Sequence, residues 1–335
     1  MIQPEALLQQ YFGHKAFRAG QKQAIDAILS GRDVLAVMPT GAGKSVCYQI
    51  SALLLPGVTI VISPLISLMK DQVEALRQVG IPAAYINSSI SQEEFYHSMQ
   101  MLQQGQCRIL YVAPERLMTE SLLRLAQRVQ ISMIAVDEAH CVSQWGQDFR
   151  QSYLDIPVFM EQLPVRPVCT AFTATATKQV EADIARILKL RDPETIHTGF
   201  DRKNLFFGVR RPNSKMTELF HLLKENDGKS GIVYCSTRKA VEEVCASLCD
   251  TGFDATRYHA GLSDVERAQN QDDFLYDRKP IMVATNAFGM GIDKSNVSFV
   301  IHYNMPMDLE SYYQEAGRAG RDGEPAQCIL LYSGR

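Results

Sequence analysis

Short apolar runs alternate with longer segments of helical spacing along the first part of the chain. The runs predict strands at residues 59–63, 83–87, 108–113, 131–136 and 168–173. They are apolar at nearly every position, which is typical of strands buried on both faces of a parallel sheet. Because helical segments separate them, we expect an α/β fold with a mainly parallel sheet and helices on both faces. Residues 1–33 are expected to be mainly helical.

The same alternation begins again after Gly231, in the second part of the chain. It predicts strands at residues 231–235, 255–258, 281–285, 297–303 and 326–332, with helices at 237–248 and 263–274. A chain of 335 residues exceeds the size at which one hydrophobic core usually keeps growing. We therefore expect two α/β domains, residues 1–199 and residues 200–335, which meet near the TGFDRKNL stretch.

A glycine-rich turn follows the first short apolar run, in the stretch VLAVMPTGAGKS at residues 34–45. Two glycines in the turn would let consecutive backbone N–H groups converge on a polyphosphate, and the lysine would reach its outer phosphates. The serine hydroxyl would hold Mg²⁺ at the start of a helix. Met38 stands where the strict GxxxxGK[ST] pattern has glycine, but the glycines nearest the lysine shape the loop. The predicted phosphate-binding residues are Thr40, Gly41, Ala42, Gly43, Lys44 and Ser45.

Two adjacent acids end the apolar run at 131–136, in the sequence ISMIAVDEAH. A nucleoside triphosphatase needs one carboxylate for Mg²⁺ and a base for the attacking water. Two acids at the end of a buried strand are poorly solvated unless a cation lies beside them. Asp137 and Glu138 are therefore predicted to complete a hydrolysis site with the phosphate loop, against the alternative that GKS belongs to an ordinary surface turn.

Gln21 lies in the helical region just ahead of the phosphate loop. Its carboxamide can both donate and accept hydrogen bonds, so it is a candidate reader of an adenine edge. The alternative is an exposed, solvated glutamine.

Trp145, the only tryptophan, lies in CVSQWGQDFR directly after the acidic pair, together with Phe149 and Arg150. A large aromatic side chain beside polar residues and glycine can stack on an unpaired base. The alternative is that Trp145 fills a gap in the core. Its position beside the predicted hydrolysis site favours the functional interpretation.

Two arginines, Arg318 and Arg321, follow Gln314 in QEAGRAGRDG near a glycine-rich helix end. Arginine is always charged and binds phosphate oxygens in a bidentate manner. Either residue could therefore act as an arginine finger on the γ-phosphate. Taken alone, the two side chains would more often be solvated surface arginines.

The overall composition does not reveal a polyanionic partner. The net charge is −3, without a basic tail or an acidic arm, so any nucleic acid must be bound by locally placed side chains. The stretch from Ser45 to Met69 has no charged residue and is long enough to span a bilayer. Pro56, Gly57 and Pro64 interrupt it, so a βαβ unit explains it better than a membrane span.

The eight cysteines are scattered and include no CxxC pair, which favours buried, reduced thiols over disulfides or zinc. Cys245 and Cys249 lie four residues apart on a predicted helix and could form half of a metal site. Without a second pair, packing is the favoured interpretation. The early acid and the short apolar stretches of the N-terminus do not fit a secretory signal, so we expect an intracellular protein.

An ordered set of motifs resembles the RecQ family of superfamily 2 DNA helicases across the whole chain. The motifs are FRAGQ, MPTGAGKS, SPLISLMKDQ, DEAH, SQWGQDFR, FTATAT, VATNAFGMGIDK and QEAGRAGRDG. The resemblance implies two tandem RecA-like domains with ATP bound between them, and single-stranded DNA crossing a shared face. It also implies ATP-dependent 3′ to 5′ movement and duplex unwinding, in DNA repair and recombination.

The resemblance also assigns roles to individual residues. Lys44 and Ser45 would bind the phosphates and Mg²⁺, Asp137 would hold the metal, and Glu138 would activate water. The expected adenine contacts are His14, Arg18 and Gln21, where His14 replaces the aromatic residue common in the family. Coupling of the sites is assigned to His140 and Gln314, DNA sensing to Trp145, Phe149 and Arg150, and γ-phosphate contact to Arg318 and Arg321.

The expected cofactors are ATP and Mg²⁺, and the expected partners are single-stranded and partly duplex DNA, with no membrane. No counterpart of the family's zinc module, winged helix or terminal helical domain is recognised, so no zinc is expected. Two other functions stay open on the sequence alone. One is an RNA helicase of the DEAD/DEAH type, and the other is a binding protein that uses ATP only as a conformational clamp.

Overall fold

The structure of the protein is a computed structural model, which describes residues 2–146, 148–199, 202–286, 288 and 294–333, without the side chain of Ser67. The chain divides into two compact units, Met1–Phe200 and Asp201–Arg335. Each unit is described by itself below.

The first unit consists of a seven-stranded sheet with helices on both faces. Its helices are α1 (Pro4–Phe12), α2 (Gln21–Leu29), α3 (Lys44–Leu54), α4 (Ile66–Gln78), α5 (Gln92–Gln103), α6 (Glu120–Ala126), α7 (Asp155–Glu161) and α8 (Lys178–Ile187). Its strands are β1 (Val34–Val37), β2 (Val58–Ile62), β3 (Ala83–Ile86), β4 (Ile109–Val112), β5 (Ile131–Val136), β6 (Val168–Thr173) and β7 (Glu194–His197). Their order across the sheet is β3-β4-β2-β5-β6-β1-β7, and the pairings described are all parallel.

Two hydrophobic cores lie on opposite faces of this sheet. Strand β1 shows why, since Leu35 packs into the core formed with α5 to α8, whereas Val34 and Ala36 pack into the core formed with α2, α3 and α4. Strands β1, β2 and β4 are buried at every position. Continuous apolar runs therefore form the middle of a sheet that is covered on both sides.

The second unit has the same architecture around a six-stranded sheet. Its helices are α9 (Lys215–Glu225), α10 (Arg238–Asp250), α11 (Asp264–Leu275) and α12 (Leu309–Ala316). Its strands are β8 (Leu205–Arg210), β9 (Ser230–Tyr234), β10 (Ala255–Tyr258), β11 (Ile281–Ala284), β12 (Val297–His302) and β13 (Ala326–Leu331). They run in the order β10-β11-β9-β12-β13-β8, again with parallel pairings among the described strands.

The predicted parallel α/β fold is confirmed, and each predicted strand is found with its ends shifted by at most one residue. Two edge strands were missed, β7 and β8. Most of their side chains are exposed or half-buried. An edge strand does not need a continuous apolar run, so the pattern that identifies central strands is absent there.

The uncharged stretch from Ser45 to Met69 is divided among α3, β2 and the start of α4, as the βαβ interpretation predicts. Among the residues described, no helix has the length and apolar character needed to cross a membrane.

Candidate nucleotide and nucleic-acid site

The phosphate loop connects β1 to α3 and is shaped by two glycines in the left-handed region. Gly41 has φ +83° and Gly43 has φ +77°. A Cβ on Gly43 would lie 2.5 Å from Nε2 of Gln21, so both the conformation and the space require glycine. Helix α3 begins at Lys44 without a side-chain cap, which leaves its first backbone N–H groups for an anion.

Gln21 and Arg18 brace this loop from the start of α2. Nε2 of Gln21 donates to the carbonyls of Ala42 and Gly43 at 3.0 and 3.1 Å, and its Oε1 accepts from the backbone N–H of Arg18 at 2.8 Å. The Arg18 guanidinium donates to the carbonyl of Gly41. Gln21 is buried, so it is not the solvated glutamine considered as the alternative.

The carboxamide of Gln21 is directed at the loop backbone, so its first role is to hold the loop. A contact of Gln21 with adenine stays a prediction, as do the contacts of Arg18 and His14. Both Arg18 and His14 are exposed beside the loop's supporting helix.

The acidic pair lies directly after β5. The backbone N–H of Asp137 donates to Ile62 O at 2.8 Å, and the hydroxyl of Tyr153 donates to Asp137 O at 3.0 Å, which fixes the end of the strand. Glu138 adopts φ +47° and ψ +48°, a left-handed conformation that costs a residue with a side chain about 1–3 kcal/mol. Its Oε2 is buried and accepts no hydrogen bond from the described residues. Such strain and an unsatisfied acceptor are typical of a functional position.

Burial raises the pKa of Asp137 from 3.8 to about 7, and the neighbouring charge of Glu138 adds to this shift while Lys44 opposes it. A buried carboxylate in this condition is best satisfied by a cation. Mg²⁺ takes oxygen ligands and is usually bound by one or two carboxylates together with phosphate oxygens and water. Asp137 and the hydroxyl of Ser45 at the start of α3 fit that donor set.

His140 links the acidic pair to the stretch FTATAT at the end of β6. Its Nδ1 lies 3.0 Å from Thr173 Oγ1, and the Thr173 hydroxyl donates to Thr175 O at 2.9 Å. Because that hydroxyl proton is already used, Nδ1 of His140 is the donor in the first contact. The same nitrogen lies 3.4 Å from Oε2 of Glu138. The sequence did not identify Thr173 as the partner of His140, although a polar run after a buried strand was visible.

The loop at 143–150 presents its aromatic side chains to solvent. Trp145 is 72% exposed and Phe149 is 37% exposed, so the alternative in which Trp145 fills the core is wrong. Ser143 holds the loop, because its Oγ accepts from the Trp145 N–H at 3.1 Å and donates to Asp183 on α8 at 2.8 Å. Gln147 lies outside the described residues.

Arg150 is largely engaged inside this loop. Its guanidinium donates to Asp148 at 2.9 and 3.0 Å and to Pro64 O at 3.0 Å, which connects the loop to the SPLISLMKDQ stretch. A contact of Arg150 with DNA stays a prediction.

In the second unit, the segment after α12 carries the two arginines. Arg318 is only 7% exposed, so it is not a solvated surface arginine, and Gln314 and Arg321 are half-buried. The phenol of Tyr234 donates to Phe288 O at 3.0 Å. Burial raises the pKa of Tyr234 to about 12, against the opposing charge of Arg318, so the phenol stays neutral. Tyr234 was not singled out from the sequence.

Parts of two motifs lie outside the described residues. In VATNAFGMGIDK these are residues 287 and 289–293, and in TGFDRKNL they are residues 200 and 201. At the described end of the first motif, Lys294 is buried and donates to Asp277 at 2.8 Å.

No group of three or more His, Cys, Asp or Glu side chains in the described part of the chain is arranged to hold a metal ion. Cys245 is buried on α10, and burial raises its pKa to about 12, whereas Cys249 is exposed. A buried neutral thiol behaves as a small apolar side chain, in line with the packing interpretation.

Comparison with known proteins identifies both units. Residues 18–183 match the DEAD/DEAH box helicase family, and residues 214–323 match the helicase conserved C-terminal domain. The chain is 49% identical to the ATP-dependent DNA helicase RecQ of Bacillus subtilis over 330 residues, which is 98% of this chain and 56% of that protein. It is 46% identical to the protein of the same name from Haemophilus influenzae over 327 residues, which is 98% of this chain and 53% of that one.

The fold also matches solved helicase structures. The structure of S. cerevisiae Dbp5 bound to RNA and ADP BeF3 has a TM-score of 0.78 at 20% identity, covering all of this chain and 88% of that one. At this identity the likeness concerns the RecA-like fold alone. This chain spans about half the length of the curated relatives it matches. It belongs to the RecQ family of superfamily 2 helicases and carries the two domains of the helicase core.

Proposed function

We propose that this protein is an ATP-dependent DNA helicase of the RecQ type, which couples ATP hydrolysis to 3′ to 5′ movement on single-stranded DNA and to duplex unwinding. One observation carries the proposal. A buried acid with a pKa raised to about 7 and a strained, unsatisfied glutamate lie beside a glycine loop that ends in Lys44 and Ser45. The names of the curated relatives support DNA as the substrate.

The phosphates of ATP are bound by the loop at 40–45. Backbone N–H groups at the uncapped start of α3 bind the β-phosphate side, and Lys44 neutralises the outer charge. Asp137 and Ser45 hold Mg²⁺, which when bound neutralises the charge that develops on the phosphate oxygens. His14, Arg18 and Gln21 are the proposed adenine contacts.

Glu138 is the general base of the proposed reaction. Its backbone strain fixes the carboxylate, and Oε2 is ready to accept a proton because no described residue donates to it. Arg318 and Arg321 supply the positive charge that the γ-phosphate needs in the transition state.

DNA binding is coupled to hydrolysis through the loop at 143–150. Trp145 and Phe149 stack on unpaired bases, while Ser143 ties their loop to α8 and His140 ties the acidic pair to Thr173. Gln314 is the proposed coupling residue of the second unit. Because phosphate contacts dominate such binding, we expect weak sequence preference and strong salt dependence. A role in DNA repair and recombination, in the compartment that holds the chromosome, is part of the proposal.

The test measures ATP hydrolysis with and without single-stranded DNA, alongside strand separation of a partial duplex with a 3′ tail. We expect stimulation by DNA and unwinding of the 3′-tailed substrate. RNA of equal length is the matched comparison, because Dbp5, which shares the fold, is bound to RNA in its solved structure. Equal stimulation by RNA would favour an RNA helicase, and DNA binding without multiple turnovers would favour an ATP-dependent clamp.

A further inference from the structure

The segment that carries Arg318 and Arg321 has a backbone rich in carbonyls that no helix can satisfy. It follows the C-terminal end of α12, where the last carbonyl groups lack partners within the helix and the helix dipole is negative. Carbonyls of this kind usually bind water or a cationic side chain. In the residues directly after α12, three carbonyls accept from Arg202, a side chain from a distant part of the chain.

Arg202 donates to three of these carbonyls at once. Its Nη1 lies 3.1 Å from Gly317 O, and its Nη2 lies 2.9 Å from Ala319 O and 2.6 Å from Gly320 O. These carbonyls lie on both sides of Arg318 and directly before Arg321 in the chain. The planar fork of the guanidinium therefore fixes the backbone from which both arginines extend.

Asn204 continues the same contact. Its Nδ2 donates to Gly320 O at 2.8 Å and to Glu324 O at 2.9 Å. Gly320 has φ +58°, and a Cβ there would lie 2.5 Å from Nδ2 of Asn204. Asn204 is itself held by the sheet, because its carbonyl accepts from the N–H of Ala326 at 2.9 Å. The backbone of the arginine segment is thus attached to the start of β8.

We propose that Arg202 is a positioning residue for the arginine segment, which holds the backbone around Arg318 and Arg321 in the conformation that hydrolysis requires. The inference rests on the proposed ATPase function. The proposed role of Arg202 involves no contact with the nucleotide. Its effect is on catalysis because a misplacement of about 1 Å in a charge-stabilising group can lower a rate by about 100-fold.

Lysine cannot replace Arg202 in this role. An ammonium group is a single point charge without a planar fork, and it cannot align with three carbonyls that diverge along a turn. Arg202→Lys keeps the charge and most of the packing, so it isolates the geometry. Arg202→Ala removes both.

The experiment measures DNA-stimulated ATP hydrolysis by Arg202→Lys and Arg202→Ala, with Lys203→Ala as the matched control. Lys203 is the exposed neighbour, and its removal changes the net charge by the same amount as Arg202→Ala. We expect kcat to fall about 10-fold in Arg202→Lys and about 100-fold in Arg202→Ala, with the KM for ATP within about twofold of the original. The nucleotide cradle belongs to the first unit and is unchanged, so binding persists.

A second measurement, amide hydrogen exchange, reports on the segment directly. In Arg202→Lys we expect faster exchange in the peptide covering residues 317–323, with the peptides of β9 and α10 unchanged. A kcat that stays at the original level in Arg202→Ala would overturn the inference, as would an equal loss in Lys203→Ala or unchanged exchange at 317–323. If the unaltered protein hydrolyses no ATP, the proposed function fails, and unchanged exchange would still refute the bracing by Arg202.

Discussion

The same position in the two sheets is occupied by two very different loops. Setting β7 aside, the strand orders correspond one to one, so that β8 in the second sheet occupies the place of β1 in the first. Strand β1 leads through Gly41 and Gly43 to an α3 without a side-chain cap. Strand β8 leads through RPNS to α9, whose first turn is capped because Ser214 accepts from the Thr217 N–H.

The first residue of each of these helices is a lysine, and the two lysines have different surroundings. Lys44 begins α3 close enough to Asp137 to oppose the rise in its pKa, and it donates to Met38 O at 3.3 Å. Lys215, by contrast, begins α9 and donates to Tyr303 O at 2.8 Å.

A side-chain cap occupies one of the free N–H groups of a helix N-terminus, and that group is then not available to an anionic ligand. In the second unit Ser214 caps α9, and the candidate catalytic residues lie instead in the segment that carries Arg318 and Arg321. In the first unit α3 has no side-chain cap, and Oε2 of Glu138 accepts no hydrogen bond from the described residues.

The largest effect is expected from Glu138→Gln, because ATP hydrolysis by the first unit requires its general base. The amide cannot accept the proton of water, so kcat should fall by about 10²- to 10⁴-fold while ATP still binds. Single-turnover hydrolysis and titration of a fluorescent ATP analogue measure the two steps. Glu120→Gln, an exposed acid of the same unit, is the control. Rapid hydrolysis by Glu138→Gln would remove Glu138 as the base.

The two lysines test the comparison itself. Lys44→Ala should weaken binding of an ATP analogue by about 10- to 100-fold, since a hydrogen bond to a charged group contributes about 1.5–3 kcal/mol. Lys215→Ala should leave that affinity unchanged and lower the free energy of unfolding by about 1 kcal/mol. Titration of the analogue and thermal denaturation separate the two effects. Loss of nucleotide binding in Lys215→Ala would contradict the assignment of the cradle to the first unit.

The buried carboxylate of Asp137 should also lower the stability of the fold when neither nucleotide nor Mg²⁺ is bound. The pKa of Asp137 is about 7 in the folded protein against 3.8 ordinarily, so between these values the unfolded chain releases a proton that the folded protein keeps. Stability is therefore lost as the pH rises from about 4 to 7. Asp137→Asn should raise the free energy of unfolding at pH 8, without nucleotide or Mg²⁺, by an amount on the order of 1–3 kcal/mol, and by less at pH 5.5.

Asp183→Asn is the matched comparison, because its effect on the free energy of unfolding should have the opposite sign to that of Asp137→Asn. The hydrogen bond from Arg186 lowers the pKa of Asp183, so its charged form stabilises the fold at neutral pH. Its replacement should lower the melting temperature at pH 8. If Asp137→Asn lowered it as well, the buried carboxylate of Asp137 would not be a source of instability.

The smallest effect is expected from Tyr234→Phe in the second unit. The ring and its packing on His302 remain, but the hydroxyl that donates to Phe288 O, close to the charge of Arg318, is lost. One neutral hydrogen bond corresponds to about a 2- to 10-fold fall in kcat, with the KM for ATP unchanged. Tyr258→Phe is the control, because Tyr258 packs on the ring of Phe288, the residue whose carbonyl accepts from Tyr234. Steady-state kinetics that fell equally in both variants would point to general loosening of the core.

Local sequence was sufficient for the central strands and for the phosphate loop, because these depend on continuous apolar runs and on glycines at short spacing. The acidic pair was identified from its place at the end of a buried strand. Arg202, by contrast, reaches Gly317 across 115 residues, and His140 reaches Thr173 across 33. No periodicity records such contacts, and they become visible only when parallel strands bring distant segments together. The sequence likewise could not predict that the carboxamide of Gln21 is directed at the phosphate loop, because this contact depends on the tertiary fold.

The left-handed backbone at Glu138 means that thermal stability and catalytic activity favour different residues at this position. Glycine or asparagine would relieve the torsion there and should yield a more heat-resistant protein. Selection for thermal tolerance alone would thus drift toward inert variants at position 138. A library designed for robustness should keep that glutamate fixed and seek its gains elsewhere in the fold.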